Sequence, residues 1–452
     1  MPPTGRLPSR APAALLTLLL ALCTLLTNQP AAHATSQPAP ADPAVVAGLT
    51  RAARPLATTE PYGPLGDLRP FGRSVGAADL VGVGEGTHGT HEFFTLQHRL
   101  FRYLVEKKGF ASFGRETGWG AGLDINAWVL GGPGDIRAIM RASFQADDIL
   151  WANEEYARLF EWMRAHNAGH AEKLQFMGFD MTPVEPRLYD RVLDFVARHY
   201  PDLKPAFDDL YRGRPTGSVA EATREYQRRP AADLTDMAER ARQAYLLLRE
   251  QQPAPDPIAV QTARVIAQST RFYAYPNTEE GITEALQDRD RTMAANVAWW
   301  HRYSHDRTVV SAHNSHVAYL EALPSDGFRR MGGFLRDRFG PDYTNLRTTF
   351  GQGSFNSSYV TDGYFGVRPY VVGPPPPGSN EYTLNKVPHP QYFADLRTLR
   401  GPARTWASMP RPSRFIGADF SYPVDMEKIA LRRFSDMLIH LRRGTASHML
   451  PQ

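Results

Sequence analysis

The residues best suited to chemistry in this chain stand together at Gly84-Glu85-Gly86-Thr87-His88-Gly89-Thr90-His91. One carboxylate and two imidazoles follow a short apolar run, Leu80 to Val83, that reads as a buried strand. A carboxylate and a histidine three residues apart in such a loop can serve as a proton acceptor and the group that orients it. Glycine at 82, 84, 86 and 89 permits a sharp turn and a close backbone approach to a ligand. The bland alternative is a helix N-terminus capped by Thr87, with Glu85 facing solvent.

The same arrangement recurs further on. Phe110–Phe113 leads to Arg115 and Glu116, Leu174–Phe179 leads to Asp180, and Thr308–Ala312 leads to His313-Asn314-Ser315-His316. In an open α/β sheet, ligands bind beyond the carboxyl ends of the strands. Polar residues repeatedly placed after apolar runs therefore predict one convergent site at one edge of the sheet.

Several chemistries compete for it. Gly84-Glu85-Gly86-Thr87-His88-Gly89 fits the spacing of a dinucleotide loop, but Glu85 would set a carboxylate beside a pyrophosphate. His88/His91 and His313/His316 are two His-x-x-His pairs with carboxylates nearby, which a metal site could use. His91-Glu92 is not the zincin order, and one histidine of each pair can work while the other packs. A serine nucleophile lacks its glycine-flanked elbow: Ser354 and Ser311 have the nearest contexts. Metal-free general-base catalysis needs only His88 beside Glu85 and Glu116, with neutral imidazole taking a proton from water. Donors to a tetrahedral oxyanion would come from His313, His316, Arg115 or the amides of Gly86 and Gly89.

Strands expected at Leu80–Val83, Phe110–Phe113, Leu174–Phe179, Thr308–Ala312 and Tyr343–Thr349 alternate with helices such as Thr95–Glu106 and Glu154–Asn167. That alternation predicts an α/β fold with a largely parallel central sheet flanked by helices. From about Pro186 to Trp300 the apolar residues recur every three or four positions, which predicts a helical insertion in the middle of the chain. Gly373 to Gly378 reads as a stiff loop, and Leu431 to Leu441 as a closing helix.

At the N-terminus, Arg6 and Arg10 precede an apolar stretch from Ala11 to Leu26, followed by Ala32-His33-Ala34. This is the plan of a signal peptide cleaved after Ala34, too short for a comfortable membrane span, and it predicts a secreted protein with no stable anchor. An Ala/Pro/Thr lead-in to about Pro43 opens the 35–74 segment, and the main domain is expected over 75–452. The single cysteine, Cys23, lies within the leader, so cleavage would leave no thiol for disulfides, nucleophiles or metal ligation. The net charge of +4 is spread over isolated basic residues and pairs, which argues against nucleic acid as a partner.

The residues from Gly84 to Phe94 resemble the Gly-Glu-x-Thr/Ser-His-x-x-x-Glu-Phe-Phe signature of the erythromycin esterase family. Further landmarks follow in the family's order: Phe113 to Trp119, Asn126 to Val129, Gly178 to Asp180, Arg289 to Ala294, Ala312 to His316, and Met331 to Gly340. The resemblance spans about residues 75 to 442. It implies hydrolysis of an ester or lactone by histidine-activated water, with no obligatory metal and no cofactor, on a small-molecule substrate. His88 matches the proposed base, Glu85 and Glu116 the site's acids, and His313 and His316 the second histidine pair. Arg115, Asp180, His316 and Trp119 are then candidates to bind or position substrate, although Trp119, Trp128 and Trp151 read more readily as core aromatics than as lining of a cleft. Gln97 stands where some macrolide-active members carry a basic residue, and the leader sets this chain apart from members that act inside the cell. A biosynthetic dehydratase or cyclase on the same scaffold, or a secreted binding protein without catalysis, remains open at this point.

Overall fold

The computed structural model describes residues 41–319, 329–361, 364–420 and 426–451. The expected signal peptide, and nearly all of the lead-in that follows it, lie outside the described residues. The first described helix, α1 (Pro43–Ala52), is started by Asp42, whose side chain accepts from the Ala44 amide.

In chain order the strands are β1 (Arg54–Pro55), β2 (Leu80–Glu85), β3 (Phe110–Gly118), β4 (Gln175–Asp180), β5 (Arg307–His313), β6 (Tyr343–Thr361), β7 (Tyr364–Val372), β8 (Gln391–Asp395), β9 (Arg411–Arg414), β10 (Met426–Ile429) and β11 (Met437–Gly444). One large sheet has the order β1-β8-β11-β6-β2-β5-β3-β4, with β7 hairpinned onto β6, and β9 pairs β10 separately. The six strands from β11 to β4 are parallel, whereas β8 runs antiparallel to β11 and to β1 at one edge. The central sheet is therefore largely parallel, as the alternation of apolar runs and amphipathic stretches implies.

Both faces of the sheet are covered, which is why its strands read as continuous apolar runs. On one face Val81, Val83, Phe113, Val309, Leu346 and Ile439 pack against Phe93 and Leu100 of helix α2 (His91–Lys108). The same core takes in Ile125 of α3 (Trp119–Val129) and Phe160 of α4 (Glu154–Gly169). On the other face Leu80, Val310, Met177 and Phe179 meet Met293, Val297 and Trp300 of the 26-residue helix α5 (Glu279–Ser304). Helices Pro186–His199, Val219–Arg228, Ala231–Arg249 and Pro257–Tyr273 make up the expected helical middle of the chain and pack chiefly on this second face.

Helix α2 ends at Gly109, whose φ of 69° is left-handed and whose amide returns to the Leu104 carbonyl. That is a conformation glycine adopts without cost, and Lys107 and Lys108 in the last turn complement the helix dipole. The chain then enters β3 at once, so the loop before α2 and the end of β3 come to the same edge of the sheet.

Two elements differ from the sequence reading. The closing helix expected over Leu431–Leu441 is helical only from Leu431 to Phe434, and the rest becomes β11, paired between β6 and β8. Because β11 is buried on both faces, Met437, Leu438, Ile439 and Leu441 form a nearly continuous apolar run, and continued from Leu431 and Phe434 this mimics helical spacing. The strand expected over Tyr343–Thr349 runs on to Thr361, because β7 pairs with its second half.

Close approach of α3 to β4 sets the end of β3, and it depends on glycine. A Cβ at Gly122 would lie 2.0 Å from the Gly178 amide nitrogen. Gly122→Ala is expected to destabilise the fold by about 1–3 kcal/mol through overpacking. Urea denaturation checks this; an unchanged midpoint would show that α3 can move away freely.

Candidate active site

Parallel pairing places Glu85, at the end of β2, directly beside His313, at the end of β5. Arg115 on β3 is likewise paired with Ser311 on β5. Register alone therefore gathers the polar residues that follow the apolar runs.

Glu85 is fully buried. Its Oε1 accepts from Arg115 Nη2 at 2.6 Å, and its Oε2 accepts from Arg115 Nη1 at 3.1 Å and from Gln97 Nε2 at 3.0 Å. Gln97 is itself held by the Tyr156 hydroxyl, which donates to its Oε1 at 2.8 Å. Burial opposes the charge on Glu85, but the Arg115 guanidinium and then His88 hold its carboxyl below the usual carboxylate range. Glu85 is thus an ion, not a solvated loop residue, and Arg115 faces it across a forked, charge-assisted pair.

His88 Nδ1 lies 2.6 Å from Glu85 Oε1. An ionised carboxylate can only accept, so Nδ1 carries the hydrogen and Nε2 is the nitrogen left to take up a proton. Among the described residues Nε2 of His88 has no hydrogen-bond partner. The backbone around it is fixed tightly. The Gly89 carbonyl accepts from the Asn356 amide at 2.9 Å and from the Ser447 amide at 3.0 Å, and a Cβ at Gly89 would stand 1.9 Å from the Asn356 oxygen. Thr90, not Thr87, is the N-cap of α2. The two hydroxyls lie 2.6 Å apart in a direct hydrogen bond.

A second charged group comes from the opposite face of the sheet. Glu116 Oε2 accepts from the His313 amide at 2.8 Å, while its Oε1 lies 3.1 Å from His316 Nε2 and 3.2 Å from Arg289 Nη2. His316 Nδ1 meets Asp290 Oδ1 at 2.7 Å. Arg289 Nε donates to Asp180 at 2.9 Å. Burial disfavours a charged His316, but Asp290 and Glu116 outweigh it and raise its pKa to about 9. It is an imidazolium at neutral pH, with both N–H groups occupied, and so cannot be the base. Glu116 is held well below the ordinary carboxylate value, against burial, by His316, His88 and Arg289.

His313 bridges the two groups. Its ring centre is 5.3 Å from that of His88. Burial, then the neighbouring His88, pushes its pKa well below the ordinary value, so the ring is neutral. Nε2 faces the Ile416 carbonyl at 3.1 Å and must carry the hydrogen, and Nδ1 lies 2.8 Å from Ser315 Oγ. Trp151 stands edge-on to His88, its ring centre 5.3 Å away, and lies under the Arg115 guanidinium at 4.4 Å. Its indole N–H is buried and has no partner among the described residues.

The structure thus brings Glu85, His88, Glu116, His313 and His316 together. Of the other candidates, Trp119 and Trp128 are bonded outside this cluster, and Arg115 and Asp180 are ion-paired within it. Trp119 is a core residue that donates to Thr262 at 3.1 Å and packs on Trp299 and Trp300, because α3 turns it toward the helical middle of the chain. Trp128 is bonded to the Gly134 carbonyl at 3.0 Å. Arg115 and Asp180 are enclosed and ion-paired, so they position Glu85 and Arg289 instead of offering themselves to a ligand. One of the two His-x-x-His pairs splits: His91 turns away from His88 to Glu155 at 2.6 Å, whereas His313 and His316 both reach Glu116. Sequence reasoning missed the roles of Gln97, Tyr156 and Asp290. Only the Arg289-Asp290-Arg291 landmark offered a signal, since a charged pair inside a long helix is otherwise unremarkable in pattern.

An α/β sheet whose carboxyl edge carries a carboxylate-held histidine and a second, buried histidine cluster defines an enzyme-like site. The profile described as erythromycin esterase matches residues 105–444, starting inside α2, and the chain belongs to the erythromycin esterase family. Erythromycin esterase type II of Escherichia coli is 27% identical over 347 residues, covering 70% of this chain and 79% of that protein. A crystal structure titled as a succinoglycan biosynthesis protein superposes with a TM-score of 0.78 at 29% identity, over 90% of this chain and 98% of that one. A histidine-to-asparagine mutant of an erythromycin esterase in its open conformation shares the fold, with a TM-score of 0.69 at 17% identity over 87% of this chain and 98% of that one.

The raised pKa of His316 has a thermodynamic consequence. Its contribution to stability is complete below its ordinary pKa of 6.5 and is lost as pH rises through about 9. Wild-type stability is expected to decline across that window, and His316→Gln to flatten this part of the profile. Urea midpoints measured at several pH values test it; an unaltered slope in the variant would refute the charged assignment.

Proposed function

We propose that this protein is a hydrolase that cleaves a carboxylic ester or lactone with water activated by His88. The observation that carries the reading is the geometry of His88: Nδ1 is anchored on a buried, ion-paired carboxylate, while Nε2 has no hydrogen-bond partner among the described residues. A water between Nε2 and a substrate carbonyl would lose its proton to His88 as its oxygen attacks the carbon. Glu85 stabilises the imidazolium that forms, without itself taking the proton. The proton then passes to the departing alkoxide, giving one acid and one alcohol, or an opened hydroxy acid from a lactone. The indole N–H of Trp151 and, once turned from Ile416, Nε2–H of His313 would be the donors to the oxyanion.

Membership in the erythromycin esterase family supports a small-molecule substrate of the macrolide or another secondary-metabolite class. No step in this scheme calls on a metal or a cofactor. We assign the protein to the cell exterior or envelope on the strength of its leader-like N-terminus; none of the described helices is long and apolar enough to cross a membrane.

His88→Asn should remain folded and lower kcat on a hydrolysed ester or macrolide lactone by about a hundredfold or more, the usual contribution of a positioned base. Wild-type rate should withstand dialysis against a chelator, and the product of a lactone, or the two products of an ester taken together, should be heavier than the substrate by one water. Loss of one water would identify a dehydratase or cyclase. Equal turnover in the folded variant and wild type would remove His88 from the mechanism.

A further inference from the structure

On the far side of the loop that carries His88, a second set of groups converges that the hydrolytic scheme does not use. His91 opens α2, Glu155 lies in the first turn of α4, and His448 belongs to the C-terminal tail. His91 Nδ1 and His448 Nδ1 approach the same oxygen of Glu155, at 2.6 and 2.7 Å, and one ligating atom from each of the three residues falls within 4.8 Å of the others. Their rings stand perpendicular, with centres 5.2 Å apart. The Glu155 side chain is almost wholly buried, at 2% exposure, whereas that of His448 is 69% exposed.

We propose that His91, Glu155 and His448 form a binding site for one divalent transition-metal ion of the zinc class, which fastens the C-terminal tail to the base of the catalytic loop. Two imidazole nitrogens and a carboxylate oxygen are a donor set such ions favour, and the exposed side of His448 leaves room for water as a further ligand. The other nitrogen of His91 supplies an independent observation. Nε2 lies 3.2 Å from Glu60 Oε1, so its N–H donates to a carboxylate while Nδ1 faces the ion. That carboxylate–histidine–metal relay orients ligating histidines and sharpens their affinity. In a tetrahedral site the donors stand about 3.3 Å apart, given metal–ligand distances near 2.0 Å. Opening the two contacts to Glu155 by about 0.6–0.7 Å reaches that spacing for those pairs, with the exposed His448 free to adjust toward His91, and the ion takes the place of the Nδ1 protons.

The location explains what such an ion would do. The Glu154 amide donates to the His448 carbonyl at 2.8 Å, and the Ser447 amide donates to the Gly89 carbonyl at 3.0 Å. Thr90 and Asn153 form isolated bridges with Ala446 and Met449. Tail, catalytic loop and α4 are therefore one hydrogen-bonded unit, and a metal at its edge would hold the loop beneath His88 without touching the reacting water. The site is distinct from the hydrolytic reading and stands or falls separately from it.

The test is calorimetric titration of zinc chloride into the full-length protein after dialysis against a chelator, with melting temperature recorded alongside. The expected result is one ion per chain and a higher melting temperature. His448→Gln, an exposed change that leaves the fold intact, should weaken binding by about a hundredfold or more. Glu60→Gln should weaken it by about ten- to a hundredfold, as loss of an orienting partner does. The proposal is overturned if wild type shows no stoichiometric binding. It is equally overturned if His448→Gln binds zinc as wild type does while His313→Gln does not, because the ion would then sit in the catalytic cluster.

Discussion

Burying the charge of Glu85 is the constraint on which the rest of this structure depends. A fully enclosed carboxylate is costly unless it is paired and all its acceptor positions are used. Here Arg115 grips both oxygens, Gln97 and Tyr156 extend the network into two helices, and His88 takes the remaining place. Each partner comes from a different element, so β2, β3, α2 and α4 must meet for the charge to be tolerated. Once they meet, only one orientation and one tautomer of His88 fit. The same interaction that makes the core polar leaves the imidazole with Nε2 as its one unbonded nitrogen among the described residues.

The sheet divides the electrostatics in two. Arg115, Ser311 and Glu85 belong to the face covered by α2 and α4, and Glu116 and its cationic partners to the face covered by α5. His88 and His313 meet at the carboxyl edge, where the two charged groups come together. This separation lets three nearby histidines differ in state. His316 is charged because two carboxylates hold it, and His313 is neutral because burial dominates. His88, bonded only through Nδ1 among the described residues, is the one left with an accepting nitrogen.

Much of this was legible in the residues because a parallel sheet writes itself plainly. Its strands are short apolar runs, and its site residues come directly after them, as Glu85, Glu116 and His313 do. Glu85 and His313 could not be paired from the sequence, because strand order β2-β5-β3 brings together segments more than two hundred residues apart. The same long-range neighbours hid Asp290, which is a functional partner only because α5 lies against the turn carrying His316. Trp119 and Trp151 show the converse. Both are buried tryptophans, and only tertiary packing turns one into the core and the other against His88. The misreading of β11 has a similar root, since burial on both faces erases the alternation by which a strand is told from a helix.

The central claim is that Glu85, backed by Arg115, holds His88 as the Nδ1–H tautomer with Nε2 free to accept a proton. Nitrogen NMR of imidazole-labelled protein, with the His88 signals identified by their loss in His88→Asn, reads this state directly. The account predicts a protonated Nδ1 and an unprotonated Nε2 near neutral pH, with Glu85→Gln disturbing that pattern. A hydrogen on Nε2, or a tautomer indifferent to Glu85→Gln, would contradict it.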